Sequence, residues 1–123
     1  MSIEIAEKID KYVVRDGMDI YKERYENMTR EKLKRKKMSE SAKEDYELYW
    51  SLSSEEKKIF FQAIENVAID ITGQTLKWLD DAYYLDKKNG VKTKMIIDGI
   101  DMGGKLYDAY ITHLQKKEWM YDL

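Results

Sequence analysis

The stretch SSEEKKIFFQAIENVAIDITGQTLKWLDDAYY, residues 53–84, decides the fold. It opens with Ser53 and Glu56. Ser-x-x-Glu is the capping-box pattern, in which each side chain satisfies the other's backbone N–H at a helix start. Behind it Phe60, Ala63, Ile64, Val67, Ile71, Leu76, Trp78, Leu79 and Ala82 recur with close to a 3.6-residue period. The spacing predicts one long central helix over about 54–84. Gly73 lies inside it. Glycine there costs helix propensity, and its small size predicts a bend or the close approach of another helix. The whole chain has no proline, so long helices are permitted and glycine is the main punctuation.

On the N-terminal side, Ser41 and Glu44 make a second Ser-x-x-Glu. The helix they predict carries Ala42, Tyr46, Tyr49 and Trp50 on one side. Thr29 is a candidate cap for a basic segment containing Arg30, Lys32, Lys34, Arg35, Lys36 and Lys37, with Glu31 as its one acid. Upstream, Ile5, Ile9, Tyr12 and Val13 form one helical stripe, and Met18, Tyr21, Tyr25 and Met28 an offset second one. Two helices, or one helix bent near Asp16-Gly17, are expected over roughly 3–28.

On the C-terminal side the period changes. Asn89-Gly90 reads as a turn. Val91, Thr93, Met95 and Ile97 alternate with Lys92 and Lys94 as in a strand. Asp98-Gly99 suits a tight hairpin turn, with Ile100 and Met102 returning. After Gly103-Gly104 a last helix, about 105–119, should bury Leu106, Ala109 or Tyr110, Ile111 and Leu114. The expected fold is mainly α: a compact helical domain of about four to six helices with one short β-hairpin before the last. Residues 1–123 fit a single domain.

Composition agrees. The chain is 43% hydrophobic with 10 Tyr, 3 Trp and 2 Phe, an aromatic load that disordered chains lack. The 37% charged fraction exceeds the usual quarter and suits helices with one wet face. Cysteine is absent, which excludes disulfides, a thiol nucleophile and thiolate metal sites and fits a reducing, cytoplasmic setting. Met1-Ser2-Ile3-Glu4 lacks the positive start and apolar core of a secretory signal. No apolar run approaches the ~20 residues of a membrane span. A net charge of -2 gives the whole chain no pull toward phosphate.

Catalytic chemistry finds little footing. The one histidine, His113, is expected as a surface or half-buried packing residue. It has no nucleophile elbow to serve. Asp80, Asp81 and Asp86 form one acidic patch and Asp98, Asp101 and Asp108 another, but neither has calcium-loop spacing. No Glu-x-x-His pair suggests a di-iron site. Gly103-Gly104-Lys105 is followed by leucine, not the Ser or Thr of a phosphate loop. No cofactor, metal or catalytic residue is expected.

Ten tyrosines exceed what a small core hides with every hydroxyl paired. Tyr, Trp and Met are enriched at interfaces. Asp80, Asp81, Tyr83, Tyr84, Trp119 and Tyr121 are therefore the expected contact ridge for another protein, with a basic partner favoured by charge. Two rivals remain at this stage. One is nucleic-acid binding through Arg30, Lys32, Lys34, Arg35, Lys36 and Lys37. The other is a homodimer with aromatics paired across a two-fold axis.

Trp78-Leu79-Asp80-Asp81, then Met95-Ile96-Ile97-Asp98-Gly99, then Gly104-Lys105-Leu106-Tyr107-Asp108, carry a resemblance. The pattern resembles the C-terminal half of small uncharacterised bacterial proteins, some of them associated with toxin–immunity loci. That resemblance implies a small helical binding protein, of bacterial or phage origin and inhibitor or immunity type, with no catalytic residues to carry over.

Overall fold

The computed structural model describes residues 2–83 and 92–117. It is mainly α, with one antiparallel hairpin before the last helix. The order is α1 (Ser2–Ile9), a π-helical segment (Asp10–Arg15), α2 (Asp16–Asn27), α3 (Arg30–Arg35), α4 (Glu40–Ser51), α5 (Ser54–Tyr83), β1 (Ile96–Ile97), β2 (Ile100–Asp101) and α6 (Leu106–Lys116).

The first three elements run on without a break, so Gly17 ends no helix. The π-helical segment follows from what the sequence places every fourth residue. Ala6, Asp10, Val14 and Met18 are all buried. In an α-helix each step of four advances the side chain by about 40° around the axis. The wider π turn, with its i→i+5 hydrogen bonds, takes up that drift and keeps Asp10 and Val14 on the core side. Tyr12 and Val13, expected on the apolar stripe, face solvent instead. The stripe holding Ile5 and Ile9 belongs to an α-helical wheel that the π segment interrupts.

Capping sets the middle helices. At α5 the Ser53 N–H donates to Glu56 Oε1 at 2.8 Å, and the Glu56 N–H donates to Ser53 Oγ at 3.2 Å. This is the reciprocal box read from the sequence, and it opens a helix of 30 residues. Thr29 Oγ1 accepts from the Lys32 N–H at 3.2 Å and starts α3. The start of α4 differs from expectation. Ser39 is the cap, accepting from the Ala42 N–H at 3.2 Å, and Ser41 lies inside the helix. Ser39 holds an extended backbone (φ -64°, ψ 154°), so the chain turns helical two residues before the Ser41 box could act.

The core has two parts. In the first, α1 and α5 pack against α6 and bury Ala6, Val14, Ile69, Leu76, Leu106 and Tyr110. Gly73 is buried where a β-carbon would sit 3.6 Å from the Tyr110 ring and 3.7 Å from that of Tyr107. Those are ordinary van der Waals distances, so α6 packs closely at Gly73 without requiring a glycine there, and α5 continues through it unbroken. The second part is aromatic. Tyr25 of α2 lies 4.8 Å from Tyr46 and 5.2 Å from Tyr49, both of α4, and 5.2 Å from Phe60 of α5, between ring centroids. Tyr46 and Tyr49 are buried here, as Tyr110 is in the first part.

The hairpin is shorter than the alternation suggests. Ile96 pairs with Asp101 and Ile97 with Ile100. Asp98 and Gly99 have φ of 51° and 77°, the two left-handed residues of a type I′ turn. The preceding residues are diverted to the end of α5. Thr93 donates its N–H to the Ala82 carbonyl (3.1 Å) and its hydroxyl to the Leu79 carbonyl (2.7 Å). The Ala82 carbonyl is one of the last four that the helix end leaves without an intrahelical partner, and the Leu79 carbonyl accepts the hydroxyl just inside that end.

Candidate functional site

The expected contact ridge is divided by the fold. Asp80 is buried, not presented. Its Oδ1 accepts the Leu106 N–H at 3.2 Å and its Oδ2 the Tyr107 N–H at 2.7 Å. A carboxylate from the last turns of α5 therefore caps the start of α6, where backbone N–H groups lack partners and the helix dipole favours negative charge. Asp81, one residue on and about 100° around the helix, is exposed. Tyr83 is half-buried. Its hydroxyl donates to Asp101 Oδ2 at 3.2 Å, and its ring fills the space that a β-carbon at Gly103 would need. Tyr84, Trp119 and Tyr121 lie outside the described residues, as do Asp86 and Asn89-Gly90.

The basic segment is partly absorbed by its neighbours. Arg30 donates to both carboxylate oxygens of Glu47, at 3.1 and 3.0 Å, and lies 4.8 Å over the Trp50 ring. Lys32 Nζ donates to the Asn27 carbonyl at 3.2 Å. Lys34, Arg35, Lys36 and Lys37 are exposed. An open depression separates α3 from α4, with Arg30, Leu33 and Lys34 on one side and Glu40, Lys43, Glu44 and Glu47 on the other, Lys43 being paired with Glu40. A phosphate approaching this segment meets those carboxylates as well as the cations.

A buried ionic cluster joins the ends of the described chain, and the sequence reading missed it. Asp10 is fully buried. Its Oδ2 accepts from Lys117 Nζ at 2.7 Å and lies 3.0 Å from His113 Nε2; Arg15 Nε stands 3.5 Å from Oδ1. Arg15 also pairs with Glu65 on α5. Burial pushes the Asp10 carboxyl up. The hydrogen bonds from Lys117 and His113 and the charges of Arg15 and Lys117 outweigh it and hold the carboxyl below its ordinary value. An ionised carboxylate only accepts, so Nε2 of His113 carries the hydrogen of this contact. His113 is therefore a buried, oriented residue, not the surface or half-buried histidine expected. Beside it, burial pushes the Tyr110 hydroxyl up to about 12, and it donates to the Ile69 carbonyl at 3.4 Å. The cluster ties the π segment to α5 and to the end of α6. A clue was present in the sequence: Asp10 occupies the Ala6–Val14–Met18 spacing of the buried face, where a charge needs a partner.

The most unusual surface is the outer side of α5. Ile69 and Leu76 are buried on its inner side. About half a turn round the axis, Val67 is 60% exposed, Ile71 61% and Trp78 42%. The sequence placed Trp78 on one stripe with Leu76, but that 3.6-residue period merged two opposite faces into one list. A helix apolar on both sides is normally covered on both. Asp81 lies on the edge of this outer face.

Among the described residues no helix is long and apolar enough to cross a membrane, and no group of three or more His, Asp or Glu is placed to hold a metal ion. Comparison with protein-family models, curated proteins and solved structures gives no match, so the reading of these surfaces rests on their chemistry.

Proposed function

We propose that this chain is a small, non-enzymatic protein-binding module of inhibitor or immunity type, which acts by covering a surface of another protein. The observation that carries the reading is the second apolar side of α5, with Val67, Ile71 and Trp78 exposed opposite a filled core. Burying such side chains is worth roughly 1.5–3 kcal/mol each, and a partner supplies that burial where the chain's own fold does not. Asp81, from the ridge expected in the sequence, borders the face; Asp80 is committed to α6. The basic segment is the weaker contact because Glu40, Glu44 and Glu47 stand across from it.

The test is a tagged pull-down from native-host lysate, with and without nuclease, comparing the natural chain with Val67→Asp and Ile71→Asp. One stoichiometric protein that survives nuclease and is lost with both variants supports the reading. Partners that vanish with nuclease would refute it and favour the basic segment. Capture unchanged by either substitution would remove α5 as the contact.

A further inference from the structure

The two sides of α3 meet different surroundings. Arg30, Leu33 and Lys34 border the depression that they share with the carboxylates of α4. Lys32 and Lys36 line a second open depression, of about 430 Å³, formed with α2, α4 and the connector between α3 and α4. Small-molecule sites have volumes of roughly 300–1,000 Å³. No residue of α5 lines it, so it stands apart from the outer face of that helix. Its apolar part comes from Ile20, Met28, Met38 and Tyr46. Ile20 is 50% exposed, Met28 and Met38 are half-buried and Tyr46 is buried. The Met38 N–H donates to the Lys36 carbonyl at 3.1 Å, which folds the connector into a three-residue turn. Methionine is unbranched and polarisable, and it adapts to apolar groups of varied shape.

The charges around this depression are uneven. Arg24, Lys32 and Lys36 line it, and Glu23 is the one carboxylate among its described lining residues. Asp19, Glu26 and Glu31, the neighbouring carboxylates in sequence, do not line it. Among the described residues none of the three cations is in an ion pair. Arg24 lies 5.4 Å over the exposed Tyr21 ring. Lys32 Nζ donates to the uncharged Asn27 carbonyl at 3.2 Å, which leaves two of its three hydrogens for another acceptor.

From this joining of an apolar floor to a cationic rim, we infer that the depression binds a small amphipathic anion, a short apolar body that ends in one carboxylate or phosphate group. The body covers Ile20, Met28 and Met38. The head lies among Arg24, Lys32 and Lys36, where charge-assisted hydrogen bonds are stronger than neutral ones. A nucleotide has less to hold it, because bases stack on open aromatic faces. Tyr46 is buried, with the Tyr25 ring 4.8 Å and the Trp50 ring 6.1 Å from its own, and Arg24 already lies over Tyr21.

The test titrates octanoate, and separately octyl phosphate, into the full chain carrying methyl-labelled methionine, followed by two-dimensional NMR. Met28→Leu and Met38→Leu assign the two methyl signals of the site. Those signals are expected to shift and saturate, while those of Met18 and Met102, buried in the first part of the core or beside it, stay still. Binding of either anion supports the inference, and the tighter one assigns the head group. Octanol, with the same body and no charge, should bind at least about tenfold more weakly. Lys32→Glu/Lys36→Glu should weaken octanoate by at least the same factor and admit octylammonium in its place. Arg24→Gln, a single exposed change, should weaken octanoate in the same direction. Circular dichroism confirms that each variant remains helical. No saturable shift at Met28 and Met38 overturns the inference. So do equal binding of octanol and octanoate, and octanoate binding that both charge variants leave unchanged.

Discussion

Asp80→Asn tests whether this residue belongs to the fold or to the surface. The side chain keeps its size and loses its charge. In the native structure both carboxylate oxygens are used, by the N–H groups of Leu106 and Tyr107 at 3.2 and 2.7 Å, and the residue is only 8% exposed. An amide offers one accepting oxygen and turns its NH2 toward the other N–H. One buried donor is then left unsatisfied, at about 1–3 kcal/mol, and the charge–dipole contribution at the start of α6, about 0.3–1 kcal/mol, goes with it. The expected cost is about 2 kcal/mol. With a urea dependence near 2 kcal/mol per molar, the unfolding midpoint falls by about 1 M. Asp81→Asn removes the same charge from an exposed neighbour and should stay within about 0.5 kcal/mol. Urea unfolding followed by circular dichroism reads both. Equal midpoints for Asp80→Asn and the natural chain would refute the capping argument, and an equal loss in the two variants would assign the effect to general charge instead.

Asp10 gives a pH prediction with a definite sign. Its carboxyl is held below its ordinary value of 3.8, so it contributes stability above that pH and loses it as pH falls through the lower folded value. Asp10→Asn should therefore be clearly destabilised at pH 7, and its deficit relative to the natural chain should shrink below about pH 3.8; urea midpoints at pH 7 and pH 3 check this, and a deficit independent of pH would count against the ionic account. The two sides of α5 should also respond differently. Ile69→Ala, in the core, is expected to cost about 2–5 kcal/mol, whereas Ile71→Ala should stay within about 0.5 kcal/mol; similar losses in thermal or urea unfolding would mean that the outer face is packed within the monomer.

Local chemistry was legible in the sequence wherever partners lie within one turn. The Ser53–Glu56 box, the Thr29 cap, the span of α5 and the Asp98-Gly99 turn each depend on groups three or four residues apart, so their identity alone decides them. The Ser41 box was misplaced because Ser39, two residues earlier, offered an equally good hydroxyl, and the backbone there chose between them. The candidate site was only partly visible. A single period listed Leu76 and Trp78 together, although one is buried and the other exposed, since apolarity records that a side chain prefers cover and not which neighbour provides it. Asp80 and Asp81 are chemically identical in the sequence. Only the arrival of α6, 26 residues later, made the first a cap and left the second at the surface. The same holds for Asp10 and His113, joined across 103 residues: the sequence by itself determined that the chain is helical and fixed the ends that cap locally, and the packing of α1, α5 and α6 decided which charges are buried in pairs and which apolar face is left uncovered.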